Sequence, residues 1–91
     1  MERLNEYEVE ERLEGLNDWS VVDGEITRTY TLDSFPAALD FVQEVGALAE
    51  HLGHHPRILI DYKKVTLAVM THDAGGLTGK DFELAEACDA I

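Results

Sequence analysis

Arg57 to His72 reads RILIDYKKVTLAVMTH, and the fold turns on how this stretch pairs with itself. Ile58, Ile60 and Tyr62 fall on one face of a first strand. Val65, Leu67 and Val69 fall on one face of a return strand, with Thr66, Ala68, Met70 and His72 on the other. The spacing predicts an antiparallel hairpin turning near Tyr62-Lys63-Lys64, although this turn lacks Gly and Asn. Upstream, DWSVVDGEITRTYTL (Asp18 to Leu32) predicts a second hairpin around Asp23-Gly24, a dipeptide that tolerates the positive φ angles of a tight primed turn. There Ile26, Arg28, Tyr30 and Leu32 share one face and the threonines the other.

The segments around the hairpins carry helical periodicity. Between them, about Ser34 to Leu52, the residues Ala38, Phe41, Val42, Val45, Leu48, Ala49 and Leu52 form one apolar stripe, flanked by Phe35, Leu39 and Gly46. Asp33 or Ser34 can cap this helix, Pro36 fits its first turn, and Gly53 can end it in a left-handed conformation. Residues 6 to 15 predict a short first helix with Val9 and Leu13 at helical spacing. After the glycine-punctuated loop DAGGLTGKD, a closing helix is expected from about Gly79, with Leu84, Ala85, Cys88 and Ile91 on its apolar side. The order α-β-β-α-β-β-α predicts an α+β fold, a two-layer structure whose four-stranded antiparallel sheet carries three helices on one face. A single domain spanning residues 1–91 is expected.

Composition narrows the functional classes. Nineteen acids against seven bases give a net charge of −12, which argues against direct binding of nucleic acid, whose phosphates reward Lys and Arg. A single cysteine, Cys88, provides no internal disulfide and suits a reducing compartment. No leader pattern opens the sequence and no apolar run approaches the roughly 18 residues that span a bilayer, so a cytoplasmic protein without a membrane partner is expected. A chain of 91 residues buries only roughly 60 to 65% of its unfolded surface, which favours self-association.

Three of the four histidines fall within EHLGHHP, Glu50 to Pro56, and the fourth is His72. A hairpin turning near residue 63 sets His55 opposite position 71 or 72 and His54 opposite 72 or 73. His54, His55 and His72 therefore converge at the open end of one hairpin, where Pro56 restricts His55 to extended backbone. Imidazoles there could exchange protons near neutrality. Read singly, His51 suits a helix C-terminus, Asp81 in Thr78-Gly79-Lys80-Asp81 suits a capping box, Glu50 and Tyr62 suit structural positions, with Tyr62 packed on the sheet, and Cys88 suits core packing. A metal site is not expected: H-x2-H-H, His51 to His55, lacks a standard zinc spacing and no cysteine stands nearby.

The pattern E-x3-H-H-P-x5-Y-x9-H-x8-D, here Glu50, His54, His55, Pro56, Tyr62, His72 and Asp81, resembles the signature of the pterin-4a-carbinolamine dehydratases. Trp19 and the loop HDAGGLTGKD are also similar to that family. The resemblance implies removal of water from a 4a-hydroxytetrahydropterin, the product of aromatic amino acid hydroxylases, to give a quinonoid dihydropterin in tetrahydrobiopterin recycling. It implies no metal or other cofactor. His54, His55, His72 and Asp81 would form the catalytic set, and His54, His55, Pro56, Thr71, His72 and Asp73 would bind substrate. It also implies homodimers or homotetramers. The alternative it leaves open is a non-catalytic pterin-binding or protein-assembly module, such as a dimerisation cofactor.

Overall fold

In the computed structural model, which describes residues 2–91, each helix begins at a polar cap visible in the sequence. Asn5 opens α1 (Glu6–Glu14): its side-chain oxygen accepts from the Glu8 amide at 2.8 Å, and the Glu8 carboxylate accepts from the Asn5 amide at 3.0 Å. Ser34 caps α2 (Phe35–Leu52) through the Ala37 amide at 3.1 Å, and Gly53 ends it at φ 65°. Thr78 and Asp81 form the capping box of α3 (Gly79–Asp89).

The first hairpin joins β1 (Ser20–Val22) to β2 (Glu25–Thr31) across Asp23 and Gly24, both at positive φ (51° and 81°), as a two-residue primed turn requires. The second joins β3 (Arg57–Asp61) to β4 (Lys64–Val69) across Tyr62 and Lys63, with Tyr62 taking a positive φ of 53° in place of a glycine. β4 pairs with β2 and β3, giving an antiparallel sheet in the order β1-β2-β4-β3. The three helices and the order of elements are those expected.

Alternation along the strands then decides the core. Ile26, Val65, Leu67 and Val69 point to one face and are buried against Ala38, Phe41, Val45 of α2 and Phe82, Leu84, Ala85, Cys88 of α3. Each large apolar side chain removed from water there contributes roughly 1.5–3 kcal/mol. On the opposite face the Thr29 and Thr66 hydroxyls meet at 2.8 Å, and Leu59 stays exposed. α1 buries no residue fully, and its Val9 and Leu13 pack only on the edge of the core. At the C-terminal end of α3, Asp89 accepts from Trp19 Nε1 at 2.9 Å, from Arg28 Nη1 at 2.9 Å and from the Tyr30 hydroxyl, tying α3 to the first hairpin. Burial and the Asp89 carboxylate push the Tyr30 hydroxyl far above its ordinary pKa.

Four local expectations are corrected. The second turn is tighter than expected: Asp61 pairs with Lys64, so continuing this register sets His55 opposite Met70 and His54 opposite Thr71. β4 ends at Val69 rather than reaching His72. There the chain folds into a 3-10 turn (His72–Ala74), closed by Thr71 N–H to Gly76 O at 2.9 Å and by Gly75 at φ 72°. Tyr62 does not pack on the sheet; its place in the turn leaves it exposed. Ile91 lies beyond α3 and is exposed, so it does not extend that helix's apolar side; Phe82 is buried there instead.

Candidate active site

Chain reversal at Gly53 and the end of β4 at Val69 bring the histidine segment beside the 71–81 loop, and the side chains there form two groups. The first is buried. His54 Nε2 stands 2.5 Å from Asp81 Oδ1, while Asp81 Oδ2 accepts from the Thr78 amide at 2.9 Å and from the Thr71 hydroxyl at 3.0 Å. The Thr71 and Thr78 hydroxyls are 2.8 Å apart, and Thr78 Oγ1 accepts from the Lys80 amide at 3.3 Å. Asp81 and Thr78 are both fully buried, so this carboxylate lives in a protein environment with hydrogen-bond partners on both oxygens. The backbone helps to place His54, whose amide donates to the Ala49 carbonyl at 3.0 Å beyond the left-handed Gly53.

The second group is open. His55, Pro56 and His72 line a cleft with Asp23, Glu25, Arg57, Ala68, Val69 and Met70. Ala68 is a small, buried residue of the cleft lining, and Arg57 donates to Glu25 at 2.8 Å across the strands. That ion pair holds the Arg57 guanidinium above its ordinary pKa, through hydrogen bonding and attraction to Glu25. His55 is hydrogen-bonded to Glu50, and both side chains are exposed. A larger groove between α1 and the first hairpin, lined by Leu4, Val9, Leu13, Trp19, Val21 and Leu77 among others, contains no histidine. The cleft is the smaller depression, yet it holds two of the four histidines.

Of the residues the sequence singles out, the structure brings His55, Pro56 and His72 together in the cleft, and His54, Thr71 and Asp81 together in a separate hydrogen-bonded group. His54 does not line the cleft, and neither does Asp73, which is exposed in the 3-10 turn. Sequence reading missed Thr78 as a partner of Thr71, the Glu25–Arg57 pair, and the Glu50 contact to His55. The capping-box spacing marks Thr78 as polar at a helix start. Its full burial shows only in three dimensions. Among the described residues no group of three His, Cys, Asp or Glu side chains is arranged to hold a metal ion.

Comparison with known proteins places the chain in a class. The family model described as Pterin 4 alpha carbinolamine dehydratase matches residues 2–91. A protein of Chloroflexus aurantiacus provisionally named a pterin-4-alpha-carbinolamine dehydratase is 56% identical over 91 residues, covering 100% of this chain and 98% of its own. A protein of the same provisional name from Roseiflexus castenholzii is 56% identical over 88 residues, covering 97% of this chain and 95% of its own. The crystal structure of a transcriptional coactivator/pterin dehydratase from Brucella melitensis superposes with a TM-score of 0.92 at 34% identity, covering 97% of this chain and 96% of that one. The chain belongs to the pterin 4 alpha carbinolamine dehydratase family.

Proposed function

We propose that this protein dehydrates a 4a-hydroxytetrahydropterin to the quinonoid dihydropterin, with histidines as acid and base, in the recycling of tetrahydrobiopterin. The hydroxide leaves C4a as water while a ring nitrogen loses its proton, so the reaction needs one group to give a proton and one to take it. The observation that carries the reading is the pairing of two imidazoles, His55 and His72, in one open cleft next to a third, His54, that is held by a buried carboxylate. Such proton transfers contribute typically ~10²–10⁴ in rate. Arg57 and Glu25 at the cleft wall offer hydrogen-bonding groups to a flat polar heterocycle. The reaction as drawn uses only side chains and substrate.

The test is stopped-flow dehydration of authentic 4a-hydroxytetrahydropterin, with acceleration over the spontaneous rate expected. A wild-type rate equal to background sinks the enzymatic reading. It would bring forward the assembly module, a second reading favoured by the Brucella melitensis relative's description as a coactivator as well as a dehydratase. The same proposal includes a cytoplasmic setting, an upstream aromatic amino acid hydroxylase and a homodimer or homotetramer. Because each subunit carries −12, the oligomer is expected to tighten as salt screens that charge.

A further inference from the structure

The buried hydrogen-bonded group around Asp81 contains one residue that the proposed chemistry leaves without a task. Thr78 is fully buried, yet its hydroxyl does not reach the Asp81 carboxylate; beyond the capping-box contact to the Asp81 amide it meets Thr71. Counting hydrogens fixes the direction of every bond in this group. Thr71 has one hydroxyl hydrogen, and Asp81 Oδ2, an acceptor when ionised, lies 3.0 Å away to receive it. The 2.8 Å contact between the two threonines must then use the Thr78 hydrogen. Thr78 Oγ1 still has a lone pair for the Lys80 amide. Oδ2 of Asp81 thus takes two donors, the Thr71 hydroxyl and the Thr78 amide, and leaves Oδ1 facing His54 Nε2.

We infer that Thr78, through Thr71, orients the Asp81 carboxylate, and that Asp81 holds His54 in the tautomer with its proton on Nε2, leaving Nδ1 as the nitrogen free to accept a proton. The second ring nitrogen fits this role. Nδ1 of His54 has no hydrogen-bond partner among the described residues and is not among the buried atoms left unpaired, so it keeps contact with solvent. An ionised carboxylate can only accept, so a proton must sit on Nε2. On this arrangement Thr78, Thr71 and Asp81 are positioning residues, and His54 is the member of the histidine set prepared to act as base. This last assignment rests on the dehydratase reading; the tautomer does not.

The decisive substitution is Asp81→Asn. The Thr71 hydroxyl and Thr78 amide both need an acceptor, so the new amide must set its oxygen toward them and its NH₂ toward His54. Nε2 would then have to accept, and the proton would move to Nδ1. Long-range ¹H–¹⁵N correlation on histidine-labelled protein at pH 8 reads this directly. The expected result is Nε2–H in the wild type, Nδ1–H in Asp81→Asn, and a mixture of the two in Thr78→Val that Thr78→Ser restores to Nε2–H. Should Asp81→Asn fail to fold, the wild-type spectrum and the threonine pair still decide. In stopped-flow assays Thr78→Val is expected to lower kcat by about 10-fold with KM within about 2-fold. A wild-type His54 protonated on Nδ1, or a Thr78→Val spectrum identical to the wild type, overturns the inference even if dehydration is fast. Spectra as expected with no dehydration above background would uphold the tautomer while removing the dehydratase reading.

Discussion

Two histidine–carboxylate pairs sit one residue apart in this chain and differ in almost every physical respect. His54 and Asp81 join side chains that are 12% and 0% exposed, whereas His55 and Glu50 join side chains that are 62% and 78% exposed. Water competes fully for the second pair and hardly at all for the first. An exposed ion pair is worth about 0–1 kcal/mol, while removing one member of a buried pair strands the other. Similar chemistry therefore has two outcomes: the buried pair fixes a ring in place, and the exposed pair leaves a ring free to turn.

That contrast is broken most severely at Asp81. Asp81→Ala strands the Thr71 hydroxyl, the Thr78 amide and His54 together. Urea unfolding should show a loss of about 3 kcal/mol or more. His54→Ala removes one donor and leaves the carboxylate with two, so about 1–3 kcal/mol is expected. A loss below the uncertainty of the melt at both positions would show that water reaches this group. His55→Ala and His72→Ala go the other way: stability should stay within about 0.5 kcal/mol while dehydration slows about 10-fold or more. His51→Ala, on the exposed end of α2 and outside the cleft, should change neither.

Cys88 sharpens the comparison because it is buried with no hydrogen-bonding partner among the described residues. Burial, helped by the neighbouring Asp89, pushes its thiol from an ordinary 9 up to about 11. The folded chain thus keeps a proton that the unfolded chain loses first. Stability from this group is complete below about pH 9 and lost as pH rises toward about 11. Thermal melts should fall in that window, and less steeply in Cys88→Ala; equal slopes would discard the argument. The smallest effect is expected for Glu50→Gln, within about 1 kcal/mol and shrinking further in high salt.

How much of this was legible depended on which turn was being read. Asp23-Gly24 announces the first hairpin, and Ser34 and Gly53 mark both ends of α2, because each meets a backbone demand that few residues satisfy. The second hairpin gives no such sign. Tyr62 takes the left-handed position there, and nothing in a tyrosine advertises it. The strand pattern alone therefore implies a wider turn than the Tyr62-Lys63 one, and it carries His54 past its neighbour in the structure's register, Thr71. Since side chains alternate faces, such a slip decides which side of the sheet each residue meets. The convergence of the histidine segment on the loop after β4 survived that slip. The division into a buried His54 and an open His55 did not show, because it depends on the actual register and on how α3 presents Asp81.

The Asp89 clasp bears on how the chain folds. Its carboxylate reaches back 70 residues to Trp19, 61 to Arg28 and 59 to Tyr30. Closing loops of that length is entropically slow, and contacts so distant in sequence tend to form after local hairpins and helices. The clasp should then be absent at the folding transition state and act as a brake on unfolding alone. In a chevron plot, Asp89→Asn is expected to raise the unfolding rate while leaving the refolding rate within about 2-fold. A refolding limb slowed as much as the unfolding limb is quickened would place α3 against the first hairpin earlier, within the folding nucleus itself.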